Sequence, residues 1–406
     1  MDRRMSWQDR LRALRPGPLR NVLRQRMIGY PEPSGRKPHE AGVFQRQQRD
    51  QSMTGSGTTV AQLRSGDADT RAPRKPGFSS VRLRALMKLA VAETGLDMSG
   101  MTVLTEAATG AYAVTPVLAA MAGAKHVYAF AKPSRHGTVS DAKRETLELA
   151  IPLGVADRIE IVEKIGPEVL HEVDIVTNSG HLRPLTAALI AQLRDDCAIA
   201  LMFEAWEFRR EDLDIEACAR RKIPVVGVNE RHPAVNVFSF LGPLAVKQLH
   251  DCGLAVLGNR IALLCDNDFL APLHAGLASL GANVETFNSV AAVHPGEWDA
   301  FVVALQPADA PRVGQAEAAH LAACASAGTV VVQFWGDIDR AALAVNELAV
   351  WPTLSVGQGH MGILLSEIGP EAIVRLQTGG LRAAEWVRRG GAIARDGFAQ
   401  LVPWQG

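Results

Sequence analysis

Long apolar runs are absent from this sequence of 406 residues: none approaches the roughly 18 consecutive apolar residues that a membrane-spanning helix needs. Cysteine is scarce too. The five cysteines are scattered, odd in number and without a C-x-x-C spacing, which argues against a disulfide framework and against a zinc site. Aromatic residues make up only 5%, and the formal net charge is zero. These features predict a soluble, cytoplasmic globular protein without a metal centre.

The charge is unevenly distributed along the chain. Residues 1–78 contain 16 Lys and Arg against 7 Asp and Glu, and they are also rich in proline. Little of this segment can be buried, so we expect a disordered basic tail. The tail is the one part of the sequence whose charge would suit nucleic acid or an acidic partner. A translation start at Met53 or Met87 would be an alternative explanation for it.

From Val81 onward, short strands rich in Val, Ile and Ala alternate with helices. This alternation predicts parallel sheets that are covered on both faces. The expected fold class is α/β, with two Rossmann-like domains and an inter-domain cleft. The expected strands lie near 101–106, 126–131, 158–162, 173–177, 197–203, 223–228, 260–265, 283–287, 299–304 and 329–334. The expected domains are 79–235, of substrate type, and 236–356, of cofactor type, followed by helices in 357–406 that pack back on the first domain.

The loop after the first strand predicts an anion-binding site. Thr109 and Gly110 precede a helix, and the amides at a helix start favour negative charge. The second strand then ends in Lys132, followed closely by Arg135. Dinucleotide folds usually place an acid there for the ribose hydroxyls, and basic residues would instead suit the 2′-phosphate of NADP. Methyltransferases that use S-adenosylmethionine begin with the same strand, loop and helix, but they too place an acid at this strand end.

Three later strands of the first half also end in polar clusters. Since the carboxyl ends of parallel strands face one crevice, these side chains are candidates for a single site. The candidates for substrate binding are Asn178, Ser179 and Arg231. The candidates for acid or base catalysis are His181 or His232, beside Glu204 or Glu207.

The order of motifs from residue 170 to 355 resembles the D-2-hydroxyacid dehydrogenase family, of the formate and glycerate dehydrogenase type. The stretches that carry the resemblance are "LTAALIAQL", "LDIEACARRKIPVVGVN", "NVFSFLGPLAVKQL", "WDAFVVALQP" and "TVVVQFWGDIDRAAL". The resemblance implies a cofactor, NAD or NADP, in the unit "RIALLCDNDFLAPLHAGLASLGANVETF".

The sequence departs from the family at several functional positions. The glycine fingerprint is replaced by a turn that contains Asp266 and Asn267, which are retained as cofactor-binding candidates. Trp335 occupies the position of the family's substrate-gripping arginine, and His360 is the one histidine that could replace the family's catalytic histidine. Arg231 or Arg135 would then supply the missing positive charge.

The leading hypothesis is a divergent NAD(P)-dependent oxidoreductase that acts on a small anionic metabolite in the inter-domain cleft. The alternative is a member that has lost dehydrogenase chemistry, either a lyase or transferase or a sensor that binds a nucleotide or metabolite. No membrane partner is expected, and a homodimer is left open. The sequence identifies neither the substrate nor the choice between NAD and NADP.

Overall fold

The computed structural model describes residues 75–394 and 397–402. All of them belong to one compact unit, Arg71–Gly406. Residues 1–74 of the expected basic tail lie outside the described part of the chain. Within that part, no helix is both long enough and apolar enough to cross a membrane.

The first sheet has seven strands. Its parallel members are β1 (Thr102–Glu106), β2 (His126–Phe130), β3 (Ile159–Val162), β4 (Ile175–Thr177), β5 (Ala198–Ala200) and β6 (Val225–Val228). A last strand, β12 (Ala399–Leu401), joins antiparallel to β6 at the edge, and the order is β12-β6-β5-β4-β1-β2-β3. β1, β4, β5 and β6 are buried along their whole length, as expected of strands with helices on both faces.

Seven helices accompany this sheet. They are α1 (Ser80–Thr94), α2 (Val114–Met121), α3 (Val139–Ala150), α4 (Pro167–Glu172), α5 (Ala187–Ile190), α6 (Ile215–Arg221) and the late α11 (Glu371–Arg388). Local sequence explains their starts: the hydroxyl of Ser79 caps α1, Thr138 and Asp141 form a capping box on α3, and Asp214 caps α6. In α11, Gly379 lies against Val228 and Val235, so this helix packs on the first sheet although it follows the second in sequence.

The second sheet has five parallel strands in the order β11-β10-β9-β7-β8. They are β7 (Arg260–Leu264), β8 (Asn283–Phe287), β9 (Ala300–Ala304), β10 (Val330–Trp335) and β11 (Ala349–Trp351). Its helices are α7 (Leu241–Asp251), α8 (Leu270–Ser279), α9 (Gln315–Cys324) and α10 (Arg340–Val345). The α/β class with two parallel sheets, predicted from the sequence, is confirmed.

A segment after β11 crosses the carboxyl end of the second sheet and is held there by backbone contacts. The amide of Gly362 donates to the carbonyl of Phe334 at 2.8 Å. A Cβ on Gly362 would lie 1.8 Å from the carbonyl oxygen of Gln333, so only glycine permits this close approach. The segment 353–361 is therefore fixed beside the end of β10, and we call it the crossing segment.

Candidate functional site

The first sheet reverses its strand order beside β1, which pairs with β2 on one side and with β4 on the other. Ligands of open α/β sheets bind at such a switch point, outside the carboxyl ends of the strands. Glu106, the last residue of β1, is buried and accepts the amide of His181 at 2.9 Å. The hydroxyl of Thr177 at the end of β4 bonds to Ser179 at 2.8 Å. The structure therefore places Ser179 and His181 at the switch point, next to Glu106.

Asn178, also at this point, is fully buried, and neither polar atom of its side chain has a hydrogen-bond partner. The Nδ1 atom of His181 is likewise buried without a partner. A buried polar group left unpaired costs about 1–3 kcal/mol, and such groups in native structures usually have an explanation such as a ligand or a water. An amide and an imidazole at one switch point are therefore available to a bound molecule.

Two arginines share one carboxylate beside Asn178. Asp212 lies 3.5 Å from Nε of Arg183 and 2.6 Å from a terminal nitrogen of Arg209. Both guanidinium groups also stand over the ring of Phe203, at 5.4 and 5.6 Å from its centroid. Arg183 is oriented further by two hydrogen bonds to the carbonyl of Asn178, at 2.9 and 2.7 Å. The charges of Arg183, Arg209 and Asp212 sum to one positive charge, with Glu106 also close enough to act on the pKa of Arg183, and we call the group of two arginines and Asp212 the arginine crevice.

Burial lowers the pKa of Arg183, because its charge is poorly hydrated where it lies. The neighbouring Asp212 opposes this effect, but it must also serve Arg209. Because Arg183 is already largely removed from water in the folded chain, an anion could compensate the surplus charge with little further desolvation of this arginine. Neither arginine was among the site residues predicted from the sequence.

The crossing segment lies over Arg209. A Cβ on Gly359 would be 3.1 Å from Cδ of Arg209, and the carbonyl of Gly359 accepts Nε1 of Trp335 at 3.1 Å. Nδ1 of His360 bonds to the carbonyl of Gln358 at 2.8 Å, and the side chain is exposed. His360, one of the predicted catalytic residues, therefore lies in the segment that covers the crevice.

A second charged cluster of opposite sign joins β5 and β6 to the second sheet. Glu204, fully buried, accepts Nε1 of Trp206, the amide of Glu230 at 3.0 Å and a guanidinium nitrogen of Arg231 at 3.0 Å. Arg231 reaches Asp268 with its other terminal nitrogen at 2.5 Å. The carboxyl groups of Glu207 and Glu230 interact with that of Glu204, and we call the group of these four carboxyl groups and Arg231 the acidic junction.

Burial followed by the proximity of Glu204 raises the pKa of Glu207 from its ordinary value of 4.5 to about 8. Burial also raises the pKa of Glu230 well above its usual range, with Glu207 and then Glu204 adding to the effect. The raised pKa favours the protonated form of both side chains, so each can act as an acid. Arg209 is near enough to lower the pKa of Glu207, which links the junction electrostatically to the arginine crevice.

The predicted substrate cation Arg231 is thus neutralised by Glu204 and Asp268, two carboxylates of the protein itself. The predicted catalytic group Glu204 is committed to three hydrogen bonds, so neither side chain is free in the way the sequence suggested. Glu207 is the group of this cluster with a pKa suited to proton transfer, and its position three residues after Glu204 was the available signal. The burial of Glu207 could not be read from the sequence.

Trp335 packs within the contact between the two sheets. Its ring centroid lies 5.6 Å from that of Trp206 and 4.9 Å from that of Phe269, and the residue is only 4% exposed. The apolar character expected at this position is present. The rings of Trp206 and Phe269 contact the side chain of Trp335, at a position where the sequence analysis expected a substrate.

The turn after β7 uses its own polar side chains. Asp266 accepts the amide of Gln306 at 2.8 Å and pairs with Arg312 at 2.9 Å, and these contacts, against the effect of burial, lower its pKa. Asn267 donates to the carbonyl of Ala304 at 2.7 Å and accepts the amide of Phe269 at 3.0 Å. Asp266 and Asp268 place two carboxylates in this turn, so the turn does not fit a pyrophosphate.

The loop after β1 is partly occupied as well. The amide of Gly110 donates to the carboxylate of Glu145 at 2.7 Å, and the hydroxyl of Thr109 bonds to the carbonyl of His136 at 3.1 Å. Glu145 thus occupies the place of an anion on that amide. Lys132 and Arg135, just beyond β2, are exposed. Lys132 and Arg135 are accessible to a phosphate. The Gly110 amide would be accessible to one only if the carboxylate of Glu145 moved away.

His232 lies elsewhere. Its ring centroid is 3.8 Å from that of Phe398, beside β12, and Nδ1 accepts the amide of Ala234 at 3.2 Å. Burial lowers the pKa of His232, so at neutral pH the ring is uncharged with its proton on Nε2. The structure therefore brings Glu204, Arg231 and Trp335 together, and it gives His181 and His232 separate surroundings.

No group of three or more His, Cys, Asp or Glu side chains in the described ranges has the arrangement of a metal site. No protein-family model matches the sequence. No curated protein matches it either.

Several solved structures are similar in fold. A dipicolinate synthase polypeptide from Bacillus halodurans is 12% identical, with a TM-score of 0.45, over 73% of this chain and 100% of that one. NAD-dependent formate dehydrogenase from Staphylococcus aureus is 12% identical, with a TM-score of 0.42, over 73% and 98%. A glyoxylate reductase from Paecilomyes thermophila is 15% identical, with a TM-score of 0.41, over 75% and 99%. The similar structures thus include enzymes of the family named from the sequence, but at such identities and TM-scores they carry no argument about the reaction.

Proposed function

We propose that the chain is a divergent nicotinamide-dependent oxidoreductase that acts on a small anionic metabolite. The observation that carries the proposal is the arginine crevice, where Arg183 and Arg209 share Asp212 beside the unpartnered amide of Asn178. A carboxylate would meet the surplus charge through the planar guanidinium groups, and Asn178 would bond a neighbouring oxygen. Arg231, the cation favoured from the sequence, has no such surplus.

The cofactor belongs to the first sheet in this proposal. Read from β3 to β6, that sheet has the order 3-2-1-4-5-6, which is the order of dinucleotide-binding folds. The second sheet has the order 2-1-3-4-5 when its strands are counted from β7, as in flavodoxin-like folds. The proposal therefore assigns both the cofactor and the substrate to the first sheet, whereas the sequence resemblance assigned the cofactor to the second half.

Lys132 and Arg135 lie where the adenosine ribose is received, so NADP is favoured over NAD. Thr109 and Gly110 would receive a phosphate once the carboxylate of Glu145 has left the Gly110 amide. When bound, a nicotinamide supplies or accepts the hydride. Asp266 and Asn267 take no part in this proposal, because their side chains serve the turn itself.

The protein side chains would orient the substrate and handle its proton. Arg183 and Arg209 would hold the carboxylate, and the segment that carries His360 would exclude water from above Arg209. Glu207, with its pKa of about 8, would hold the proton on its carboxyl group and deliver it to a developing alkoxide, or withdraw it in the reverse direction. We include a cytoplasmic location and a homodimer in the proposal, the latter to be tested by light scattering.

A second function is favoured by one specific observation. The amide of Gly110 is bonded by a carboxylate, and the turn after β7 carries two more, Asp266 and Asp268. A chain in which those carboxylates stay in place would bind the metabolite without a dinucleotide. It would then act as a sensor, or as a lyase or transferase that needs no redox cofactor.

Cofactor titration separates these functions. The purified full chain would be titrated with NADPH and NADH by fluorescence, and NADPH oxidation would be followed with a panel of small 2-oxo acids. We expect NADPH to bind more tightly, and the double variant Lys132→Ala, Arg135→Ala to abolish that preference. If neither nucleotide binds, the oxidoreductase is excluded and the non-redox function gains.

A further inference from the structure

The second sheet has a cavity of its own, of about 330 Å³, bordered by the crossing segment. Its floor is formed by the residues that follow β9 and β10, and its rim by Ser355, Val356 and Gln358 of the crossing segment. The carboxyl ends of parallel strands are the usual edge for ligands in such sheets. Of the site residues predicted from the sequence, Trp335 and His360 are close to its lining residues in the chain.

Arg340 is the one arginine that lines this cavity. One terminal nitrogen donates to the carbonyl of Pro352 at 2.7 Å, and the other donates to Oε1 of Gln333 at 2.7 Å. Gln333 is only 2% exposed, and its own amide is fixed on the carbonyl of Gly336 at 2.9 Å. The guanidinium plane is therefore held in one orientation by a buried hydrogen-bond chain, with further N–H groups left over.

No ion pair to Arg340 is found among the described residues. Both of its hydrogen-bond acceptors are neutral, and burial lowers its pKa. Two acids also line the cavity: Asp337 accepts the amide of Gly359 with both oxygens, at 3.0 and 3.3 Å, and Asp309 is exposed. A partly buried guanidinium that is oriented by neutral acceptors, with no carboxylate bonded to it, can receive the carboxylate of a ligand.

We infer that this cavity binds a small monocarboxylic acid through Arg340, at a site separate from the arginine crevice. A carboxylate matches the planar guanidinium, and the apolar side chains of Ala308, Pro311 and Ile338 suit a short carbon skeleton. A phosphate dianion is disfavoured, because Asp337 and Asp309 would repel its second charge. The crossing segment forms the rim of this cavity and also covers Arg209, so the acid would stabilise the lid of the crevice. The inference does not depend on the proposed redox function.

Calorimetric titration of the full chain with sodium pyruvate, and separately with sodium phosphate, tests this inference. Arg340→Gln removes the charge, and Ala310→Trp fills the cavity from its exposed rim while keeping the charge. We expect each variant to weaken one pyruvate-binding event by roughly tenfold or more, the loss typical of a charge-assisted hydrogen bond. That event should persist in Arg183→Gln, which disables the crevice alone, and phosphate should bind more weakly than pyruvate.

The inference is overturned if pyruvate does not bind the native chain, or if its binding is unchanged in both Arg340→Gln and Ala310→Trp. Tighter binding of phosphate than of pyruvate would overturn the choice of a monocarboxylate. Retention of the native melting temperature by Ala310→Trp distinguishes a filled cavity from a damaged fold. Turnover with NADPH reports on the crevice and is read separately, so the two proposals can fail independently.

Discussion

The arginine crevice and the acidic junction are built from the same kinds of residue in opposite proportions. In the crevice, two arginines share Asp212, and an unpartnered asparagine lies alongside. In the junction, Arg231 pairs with Glu204 and Asp268, and the carboxyl groups of Glu207 and Glu230 lie close to that of Glu204. Arg183 and Arg209 together carry one more charge than Asp212 neutralises, which favours an anionic ligand. The closely spaced carboxyl groups of the junction favour protonation of Glu207 and Glu230.

This difference shows why a charged residue near a cleft does not by itself indicate a ligand-binding site. Arg231 and Arg183 both follow strands of the first sheet, but only the partners of each decide whether its charge is available. A surplus of cations attracts an anion, whereas a surplus of buried carboxyls is relieved by protonation. In the proposed function, the junction would provide structure and a proton, and the crevice would provide substrate recognition.

The largest effect is expected in the junction. Glu204→Ala would leave Trp206 Nε1 and the Glu230 amide without their buried acceptor, and each such unpaired donor costs about 1–3 kcal/mol of unfolding free energy. Urea denaturation measures this loss. The control is Glu216→Ala, whose side chain is 63% exposed and pairs with Arg210 at the surface; it should cost no more than about 1 kcal/mol. Equal losses in the two variants would contradict a structural role for the junction.

Substitutions in the crevice should weaken ligand binding more than they lower the stability of the fold. Arg183→Gln removes a charge-assisted bond to the substrate anion, which is worth about 1.5–3 kcal/mol, or roughly a 10- to 150-fold rise in KM. Arg221→Gln is a comparison variant, because Arg221 also bonds backbone carbonyls but pairs with the exposed Asp195. A KM that stays unchanged in Arg183→Gln would remove the crevice from substrate binding.

The pH dependence of stability should reveal Glu207. Its pKa rises to about 8 on folding, so the folded chain binds more protons than the unfolded chain between pH 4.5 and 8. Stability from this group is therefore present at low pH and is lost as the pH rises through that window, at up to about 1.4 kcal/mol per pH unit. Glu207→Gln should flatten this part of the stability profile measured by urea denaturation. An identical slope in the variant would mean that Glu207 is ionised in the folded chain.

The smallest effect is expected at the two candidate cofactor turns. Glu145→Gln removes negative charge from the Gly110 amide and should tighten NADPH binding about two- to fivefold, the size of a charge effect at a helix start. Asp266→Asn should leave the Kd of NADPH unchanged, because that turn belongs to the other sheet. Fluorescence titration measures both, and the reverse pattern would return the cofactor to the turn after β7.

Much of the fold could be predicted from the sequence, because buried parallel strands are locally distinctive. The expected strand at 283–287 coincides with β8, and nine others agree within a few residues. Short elements were harder: β11 and β12 were not predicted, because each has three residues and is defined by pairing with its neighbour, β10 or β6. The late helical stretch contains a single long helix, α11, which begins only at Glu371.

The candidate site was predictable in position more than in chemistry. Asn178, Ser179 and His181 were identified because strand ends meet at one edge, and they do lie at the switch point. The pairing of Arg231 with Asp268 joins residues from different sheets, so no local pattern indicates it. Arg183 and Arg209 looked like ordinary loop residues, and their shared partner Asp212 depends on how the loops fold.

The most direct test of the account compares the adjacent residues Arg209 and Arg210. Arg209 shares Asp212 in the crevice, whereas the side chain of Arg210 is 81% exposed and pairs only with the surface residue Glu216 among the described residues. For NADPH-dependent reduction of the best 2-oxo acid, we predict that kcat/KM falls roughly tenfold or more in Arg209→Gln and is unchanged in Arg210→Gln. Equal values for the two variants would contradict the arginine crevice as the substrate site.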